Sequence, residues 1–468
     1  MRTAYSVETV RAAERELMAR LPEGALMSRA AAGLAAVCAE LLARRRGRVY
    51  GARVVLLAGP GDNGGDALYA GARLARRGAG VTAVPMDPAR IHPGGLAALR
   101  AAGGRVAESV PARADLVLDG LVGIGGRGGL RPAAAALAER IPAGALVVAV
   151  DLPSGVDADT GEVAGPAVSA DVTVTFGAYK PGLLIDPGAS RAGAVRLVPL
   201  GLDLPAPAEL EALQHADVAR LLPVPTASSD KYRRGVVGVV AGSQEYPGAA
   251  VLAVAGALRG GAGAVRYVGP AADAVLARYP EVLVGRGRVQ AWVVGPGLGS
   301  GRAAEVERAL ADRDVPVLVD ADGLRGLDPA VVRARRAATL LTPHAGEAAA
   351  LLGVARDAVE AGRLAAVREL AGRYGATALL KGSTTLVASG GAVRANPTGT
   401  PWLATAGSGD VLSGLAGSLL AGGLDGTDAG SVAAYLHGLA GRTAAAGAPV
   451  PAHELAEALP AAWRSVGS

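Results

Sequence analysis

The sequence predicts an α/β protein of two domains, each a three-layer arrangement with helices on both faces of a mostly parallel sheet. Short β-branched runs alternate with Gly-rich turns and Ala-rich helical segments along most of the chain, which is typical of such sheets. The length of 468 residues suits two large domains, since a domain holds roughly 150 residues or more. A segment rich in Pro, Ala and Ser, Asp203 to Asp230, has no strand pattern. We therefore predict one domain over 1–205 and another over 215–468.

The composition excludes several classes of protein. Hydrophobic residues make up 51% of the chain and charged residues 19%, which favours large buried cores over disorder. The net charge is only +5 and the arginines are scattered, so we expect no nucleic-acid partner. The single cysteine, Cys38, excludes an internal disulfide and a cysteine metal cluster. We expect it to be a buried small side chain in a protein of the reducing cytoplasm.

The chain shows no pattern expected of a membrane or exported protein. Its uncharged runs end after about fifteen residues and are interrupted by Gly and Pro, whereas a membrane-spanning helix needs roughly 20 apolar residues. Glu8, Glu14 and Glu16 interrupt the N-terminal stretch where an export signal would be apolar. We expect a soluble cytoplasmic protein with no membrane partner.

The predicted elements follow in order along the chain. Two helices open it between Ser6 and about Arg46, with Ser6 as a candidate N-cap and Pro22 and Gly24 between them. The strands predicted next are Val54–Leu57, Val81–Val84, Leu116–Leu118, Leu146–Val150 and Val172–Thr175. After the proline-rich segment we predict Val236–Val240, Val265–Val268, Trp292–Val294, Val315–Val319, Leu340–Leu341, Ala378–Leu380 and Thr385–Val387.

Four loops in the first half carry polar residues directly after a predicted strand, where open parallel sheets bind ligands. They are Gly59–Leu68, Asp119–Gly129, Asp151–Gly161 and Thr175–Leu184. Glycines in the first loop let backbone N–H groups approach an anion, although a tight turn alone would also explain them. The loops contribute the oxygen-bearing and charged side chains Asn63, Asp119, Asp151, Ser154 and Lys180.

This set of side chains favours particular chemistry. Oxygen ligands suit a hard cation, and a carboxylate paired with a lysine suits proton transfer. Lys180 could equally be a solvated surface lysine. Histidines do not cluster here, which disfavours zinc or iron.

In the second half, Gly407, Ser408 and Gly409 lead into an apolar helical stretch, where backbone N–H groups can hold charge on a phosphoryl group. Asp410 follows at the helix start and could accept a proton from a substrate hydroxyl, or could be a carboxylate favoured only by the helix dipole. Further polar loops follow predicted strands, and His344 in one of them is a ligand-contact candidate or a structural histidine. No GxxxxGK[ST] motif is present, so the chain is not a P-loop enzyme.

Residues 1–205 resemble the NAD(P)H-hydrate epimerase domain, also called the YjeF N-terminal domain, which has a Rossmann-like fold. The runs GPGDNGGDAL, DGLVGIGGRGG, DLPSGVDADTG and TFGAYKPG carry the resemblance, with Asp62 and Ala67 departing from the usual Asn and Gly. The resemblance implies a K⁺ ion held by Asn63, Asp119 and Ser154, and proton transfer by Lys180 and Asp151. It implies hydrated-nucleotide contacts at Asp62, Asn63, Gly64, Gly65, Asp66, Gly123, Ile124, Gly125, Gly126, Arg127, Gly128, Gly129 and Asp151.

Residues 215–468 look like the ADP- or ATP-dependent NAD(P)H-hydrate dehydratase, the YjeF C-terminal domain, which has a ribokinase-like fold. The runs GSQEYPGAA, GPGLG, DADGL, TPHAGE and AGSGDVLSG carry this resemblance; Asp230 stands before Lys231 where the family often has His. It implies that Asp410 is the catalytic base and contacts the hydrate together with Ala250, Gly297 and His344. It implies adenine-nucleotide contacts, with Mg²⁺, at Lys381, Gly382, Ser383, Thr384, Thr385 and Gly409.

Together the two resemblances imply a bifunctional repair enzyme that epimerises the hydrates NADHX and NADPHX and dehydrates one epimer with ADP or ATP. An alternative is a kinase of a small hydroxylated metabolite, since Asp410 and its Gly-rich helix start serve that chemistry equally well. Another is that the first half is a non-catalytic nucleotide-binding module. Apolar helices flanking both sheets indicate a homo-oligomer.

Overall fold

A computed structural model describes residues 1–299 and 302–467. The chain forms two compact units: one is Thr3–Glu209, and the other begins at Leu210 and includes Met1–Arg2. The prediction of an α/β protein with two domains is confirmed, because each unit has its own sheet with helices packed on it.

Before Leu210 the strands are β1 (Arg2–Ala4), β2 (Arg53–Ala58), β3 (Gly80–Pro85), β4 (Arg105–Val106), β5 (Leu116–Gly120), β6 (Leu146–Val150), β7 (Val172–Phe176) and β8 (Ala194–Val198). The helices are α1 (Val7–Met18), α2 (Ala25–Arg46), α3 (Asp62–Arg76), α4 (Pro93–Ala101), α5 (Pro132–Ala138) and α6 (Gly188–Ala192).

The N-terminal unit contains a seven-stranded sheet in the order β4-β3-β2-β5-β6-β7-β8, and every pair is parallel. The order reverses between β2 and β5, and open parallel sheets bind ligands outside the strand ends at such a switch point. Gly59, which follows β2, approaches the backbone of Leu121 so closely that a side chain there would collide with it. This switch point positions the first site.

Both predicted N-terminal helices are present. The Ser6 hydroxyl caps α1 by accepting from the Thr9 N–H, as expected of an N-cap serine. In α2, Cys38 is fully buried among Leu34, Leu42 and the strands, and burial raises its thiol pKa to about 12. The prediction of a buried small side chain is confirmed, and a thiol with a raised pKa is unreactive.

Among the described helices, α2 alone is long and apolar enough to span a membrane by length and composition. Core helices of folded domains pass the same test. One face of α2 packs into the core of the N-terminal unit.

From Leu210 onward the strands are β9 (Leu210–Ala212), β10 (Val236–Val240), β11 (Ala264–Val268), β12 (Leu283–Val284), β13 (Ala291–Val294), β14 (Val317–Val319), β15 (Thr339–Leu341), β16 (Thr377–Leu380), β17 (Thr385–Ser389) and β18 (Ala392–Asn396). The helices are α7 (His215–Leu221), α8 (Pro247–Arg259), α9 (Ala272–Arg278), α10 (Arg302–Ala311), α11 (Pro329–Arg333), α12 (Ala345–Leu352), α13 (Arg356–Ala361), α14 (Arg363–Tyr374), α15 (Ser408–Ala421), α16 (Gly426–Ala445) and α17 (Ala452–Gly467).

The C-terminal unit has an eleven-stranded sheet in the order β1-β9-β18-β17-β16-β15-β14-β13-β10-β11-β12. In the part of the sheet ordered β16-β15-β14-β13-β10-β11, every neighbouring pair is parallel. Strand β17 pairs antiparallel with both β16 and β18. Helices α8 and α15 pack backbone to backbone. Gly256 and Gly414 allow this close approach because they have no side chain, and a Cβ at either position would collide with the facing helix.

The expectation that Asp203–Asp230 contains no strand is wrong. Strand β9 lies within it, and Glu211 pairs with Arg394 of β18. Three residues are too short to show an alternation of apolar and polar side chains, so the sequence pattern gave no signal. The short strands β1, β4, β8, β12 and β18 were missed as well.

Candidate active sites

The first candidate site is a cleft of about 610 Å³ at the switch point of the seven-stranded sheet. The predicted loop after β2 becomes helical at Asp62, so Asp62, Asn63 and Asp66 lie on the first turns of α3. All three line the cleft. Gly64 and Gly65 do not line it; a Cβ on Gly64 would meet the Gly59 backbone, and one on Gly65 would meet His92 and Met27.

The loop after β5 forms another wall of the cleft. The predicted residues that line it are Gly123, Ile124, Gly125, Gly126, Arg127 and Gly129, whereas Gly128 does not. Gly123 packs against the Asn63 carboxamide, so the two loops meet at these residues.

Lys180 and Asp151 form a buried ion pair behind the cleft. The Lys180 side chain is 1% exposed, and its Nζ donates to Asp151 Oδ1 at 2.5 Å, to Thr175 Oγ1 at 3.0 Å and to the Phe176 carbonyl at 3.0 Å. Asp151 has a left-handed backbone with φ of 64°, which is costly for a residue other than Gly and is found mostly at functional sites. Asp151 reaches the cleft, while Lys180 is held beneath it. The alternative of a solvated surface lysine is excluded by this burial.

Asp119 and Ser154 form a second buried polar group. The Asp119 carboxylate accepts from the Ser154 N–H at 2.8 Å and from its hydroxyl at 2.6 Å. No Lys or Arg in the described part of the chain pairs with Asp119, and burial raises its pKa to about 6. The buried Asn63 Nδ2 finds no partner among the described residues. These side chains offer oxygen atoms that could bind a cation, and the charge of the Asp119 carboxylate has no ion-pair partner among the described residues.

Helix α1 contributes two charged side chains that the sequence analysis did not select. Arg11 and Glu14 line the cleft, and a Cβ on Gly125 would lie 2.8 Å from the Arg11 guanidinium. Burial raises the Glu14 pKa, and the nearby Asp151 raises it further against the opposing effect of Lys180. Burial also raises the pKa of Asp66 well above its ordinary value, and its Oδ1 has no partner among the described residues. Arg11, Glu14 and Met18 are spaced so that they share one face of the helix, and this spacing could have indicated that the face lines a site.

The second candidate site is a cavity of about 630 Å³ in the C-terminal unit. It lies where β14, β15 and β16 end and where α15 begins, and Asp410 in the first turn of α15 lines it. Burial and the neighbouring Asp320 raise the Asp410 pKa to about 7, although Lys381 opposes the shift. A carboxyl that titrates near neutral pH can both take and return a proton.

Lys381 joins the carboxylates of this cavity. Its Nζ donates to Asp320 Oδ1 at 2.8 Å and lies 3.7 Å from Glu347 Oε2. Burial would lower the pKa of Lys381, but Asp320 and Glu347 raise it above the ordinary value. The other Asp320 oxygen accepts from the Ser413 hydroxyl at 2.6 Å. Lys381 is therefore charged and oriented, as a contact for a phosphate requires.

The Gly-rich turn before Asp410 allows its backbone to lie close to neighbouring groups. Gly407 has φ of 86°, and a Cβ on Gly409 would lie 3.3 Å from Lys381 Nζ. His437, which the sequence analysis did not select, lies under this turn with Nε2 2.9 Å from the Ser408 carbonyl. Burial lowers the His437 pKa to about 4, so the ring is neutral at pH 7. A histidine in the middle of a helix offers no loop signal in the sequence.

Of the predicted nucleotide contacts, Lys381, Gly382, Ser383, Thr385 and Gly409 line the cavity. Thr384 is buried and does not line it. Beneath this loop the Arg363 guanidinium donates to the carbonyls of Leu380, Lys381 and Thr384 at 3.1–3.2 Å, which fixes the backbone of the loop.

The predicted hydrate contacts are only partly brought together. His344 lines the cavity and caps α12, since its Nδ1 accepts from the Gly346 and Glu347 N–H groups. Ala250 is fully buried in α8, and Gly297 lies against Tyr246 and Ala249, so neither lines this cavity. The packing of α8 decides that Ala250 faces the core, and the sequence motif around Ala250 carries no information about that packing.

The fold and these two cavities define a two-domain α/β enzyme whose C-terminal unit is ribokinase-like. Residues 23–182 match the family model described as YjeF-related protein N-terminus, and residues 237–461 match that described as NAD(P)H-hydrate dehydratase. The chain belongs to the family of bifunctional NAD(P)H-hydrate repair enzymes.

Relatives named bifunctional NAD(P)H-hydrate repair enzyme align over nearly the whole chain. The Mycobacterium leprae protein is 52% identical over 95% of each chain. The Mycobacterium tuberculosis protein is 50% identical over 91% of this chain and 90% of its own. The Corynebacterium glutamicum protein is 37% identical over 100% of this chain and 99% of its own.

Among solved structures, the ADP/ATP-dependent NAD(P)H-hydrate dehydratase from Bacillus subtilis, co-crystallised with ATP and Mg²⁺, is 29% identical. It covers 55% of this chain and 98% of its own, with a TM-score of 0.51. A ribokinase-like superfamily protein from Enterococcus faecalis, 21% identical with a TM-score of 0.50 over 56% of this chain and 99% of its own, supports the same fold.

Proposed function

We propose that residues 1–205 interconvert the two C6 epimers of hydrated NADH and NADPH, and that residues 215–468 dehydrate one epimer with ADP or ATP. One observation carries the proposal for the second half. Asp410 lies at the start of α15, near Lys381 and Asp320, and its pKa is raised to about 7. The family membership supports both halves.

Epimerisation needs proton transfer on two faces of the C6 centre. The ring nitrogen can expel the C6 hydroxyl once that group is protonated and leaves as water. A second water then adds to the opposite face and loses its proton, so the overall balance is unchanged. Asp151, held by Lys180, would accept the proton of the incoming water, and Glu14, whose pKa burial raises, would donate the proton to the departing hydroxyl. Arg11 and the Gly123–Gly129 loop would hold the nucleotide phosphates.

The residues at the base of this cleft fit a K⁺ ion. Asn63, Asp119 and Ser154 offer oxygen ligands, and the fully buried Asp119 carboxyl has no ion-pair partner among the described residues. A bound K⁺ would supply the missing positive charge near the loops that hold the phosphates. Asp119 and Ser154 themselves hold the loop after β5, because the Ser154 Oγ accepts from the Val122 N–H at 2.9 Å.

Dehydration begins at the C6 hydroxyl of the hydrate. Asp410 takes the hydroxyl proton, and the oxygen attacks the terminal phosphoryl group, which breaks its P–O bond to the nucleotide and releases AMP from ADP or ADP from ATP. The C6–O bond then breaks with loss of phosphate, and the loss of a C5 proton forms the C5=C6 bond of NAD(P)H. Lys381 neutralises charge on the phosphoryl group, while the Gly407–Gly409 turn lets backbone N–H groups approach it.

Mg²⁺ fits this second cavity as a partner of the nucleotide. Its coordination usually combines one or two carboxylates with substrate phosphates, and Glu347 and Asp320 line the cavity. The ion would shield the phosphate charge during transfer. Asp320 and Ser413 hold Lys381 in place from below.

We also infer a cytoplasmic homo-oligomer with neither nucleic-acid nor membrane partners. The single buried thiol supports the cytoplasmic location, and the scattered arginines support the absence of a nucleic-acid partner. Apolar helices flanking both sheets support assembly.

The experiment that tests both halves follows absorbance at 340 nm from a mixture of the two hydrate epimers, with ADP and ATP supplied separately in K⁺ and Mg²⁺. Full recovery faster than the spontaneous rate supports two working domains. Recovery of half of the material at the fast rate restricts activity to the C-terminal unit and contradicts the epimerase assignment. Nucleotide consumption only with another hydroxylated metabolite would support the small-molecule kinase alternative.

A further inference from the structure

The C-terminal unit has a second cavity, of about 860 Å³, at the opposite end of the strands that lead to Asp410. Thr339 and Thr377, the first residues of β15 and β16, line it, whereas His344 and Lys381 follow the far ends of the same strands. The two cavities lie at opposite ends of β15 and β16 and share no lining residue, so they are distinct. The proposed catalytic chemistry uses none of its residues.

Positive charge is concentrated in this cavity. Arg335 is half-buried in its wall, held by its Nε donating to the Thr339 hydroxyl at 3.0 Å and by backbone carbonyls that include those of Leu310 and Val315. Carbonyls orient a guanidinium without neutralising it, and no carboxylate of the described chain lies within ion-pair distance of Arg335. Arg368 is exposed at the rim with neither ion pair nor hydrogen bond among the described residues.

Two further groups point to an anion. The Thr377 side chain is 7% exposed, lines the cavity, and its hydroxyl has no hydrogen-bond partner among the described residues. It faces the start of the 20-residue helix α16, since a Cβ on Gly426 would lie 2.5 Å from Thr377 Oγ1. The N–H groups of Gly426 and Thr427 point outward from the first turn of α16.

Asp425 is the one carboxylate among the described residues that line the cavity. Asp425 caps α16 by accepting from the Asp428 N–H at 2.8 Å. Arg336, which also lines the cavity, is paired with Asp314 at 2.5 Å, and Asp312 and Asp314 act on the Arg335 charge from beyond ion-pair distance. The groups left without a partner among the described residues are therefore the Arg368 guanidinium, the Thr377 hydroxyl and the helix N–H donors, which together favour a phosphate over a cation.

We propose that this cavity is a second ligand site of the C-terminal unit, which binds a small phosphate-bearing metabolite through Arg368, the Thr377 hydroxyl and the first turn of α16. The volume exceeds that of inorganic phosphate and falls in the range of sites for whole metabolites. Arg335 supplies fixed positive charge behind the phosphate.

The test uses the full chain and two readouts. Crystals soaked in tungstate, a heavy-atom analogue of phosphate, should show an anomalous peak between Thr377 and the α16 N-terminus. Equilibrium dialysis with labelled inorganic phosphate should give one more bound phosphate per wild-type chain than per Arg368→Ala chain. Thr377→Val, which keeps the shape of the side chain, should weaken this extra binding about three- to tenfold.

Arg464→Ala is the matched control, because Arg464 is an exposed helical arginine without a partner among the described residues. It should bind phosphate like the wild type. The dehydration rate of Arg368→Ala should also stay unchanged, which separates this site from the catalytic one. Tungstate peaks confined to the two catalytic cavities, or equal phosphate stoichiometry in wild type and Arg368→Ala, would overturn the proposal.

Discussion

The Nζ atom of Lys180 lies 2.5 Å from Oδ1 of Asp151, and only 1% of the lysine side chain is exposed. Thr175 Oγ1 and the Phe176 N–H also donate to the same carboxylate oxygen, at 2.9 Å and 3.1 Å. The pair is thus a rigid buried unit that presents Asp151 to the cleft at the switch point of the sheet.

Lys180→Met should abolish epimerisation and destabilise the N-terminal unit, because it leaves the Asp151 charge buried without its partner. Removal of one member of a buried pair costs about 3–5 kcal/mol. The double variant Lys180→Met/Asp151→Asn should regain part of the unfolding temperature but no epimerase activity. Lys231→Ala, an exposed lysine outside both sites, is the control. Normal epimerisation by a folded Lys180→Met protein would refute the assignment.

Glu14→Gln should slow epimerisation at least tenfold while dehydration of the reactive epimer continues at the wild-type rate. The amide keeps the shape of the side chain but cannot donate the proton that expels the C6 hydroxyl. Glu16→Gln, an exposed position on the same helix, should behave as wild type. Epimer ratios followed by chromatography give the rates, and equal rates in both variants would remove Glu14 from the mechanism.

Asp410→Asn should eliminate nucleotide-dependent dehydration while ADP binding, measured by calorimetry, changes little. Asp273→Asn, also in the first turn of a helix but exposed, serves as the control. The Asp410→Asn protein should also be more stable above pH 7. The folded protein raises the Asp410 pKa from 3.8 to about 7, so the charged carboxylate opposes folding there. We expect a gain of about 4 kcal/mol at pH 8 that disappears below about pH 4.

The dehydration rate should rise with pH up to about 7 and then level off, because Asp410 must be deprotonated to act as a base. Lys381→Gln should move this midpoint upward, since the lysine charge is what lowers the Asp410 pKa. The measurement is kcat against pH at saturating nucleotide. A midpoint that stays in place in Lys381→Gln would show that a different group titrates.

K⁺ should raise the unfolding temperature of the N-terminal unit at pH 8 relative to choline at equal ionic strength. The effect should fade below about pH 6, where the Asp119 carboxyl is protonated and attracts a cation poorly. Asp119→Asn should lack the K⁺ effect at every pH. Calorimetric scans provide the comparison, and a K⁺ effect that persists in Asp119→Asn would place the ion elsewhere.

Much of the architecture could be predicted from the sequence alone. The β-branched runs located the central strands, Ser6 marked the start of α1, and polar residues marked the strand ends near Asn63, Asp119 and Lys381, although Asn63 lies in α3 and Asp119 within β5. These features follow from local rules: alternation, capping, and the position of loops at the carboxyl ends of parallel strands.

Other features were decided only by the tertiary structure. Burial of Lys180, the raised Asp410 pKa and the neutral ring of His437 arise from groups distant in sequence that exclude water from one another. Arg11 and Glu14 reach the cleft because of how α1 packs, and Ala250 leaves the cavity for the same reason. The sequence by itself determined the elements and the chemistry of the loops. Packing decided which side chains lose solvent, and with it their charge states and their access to a ligand.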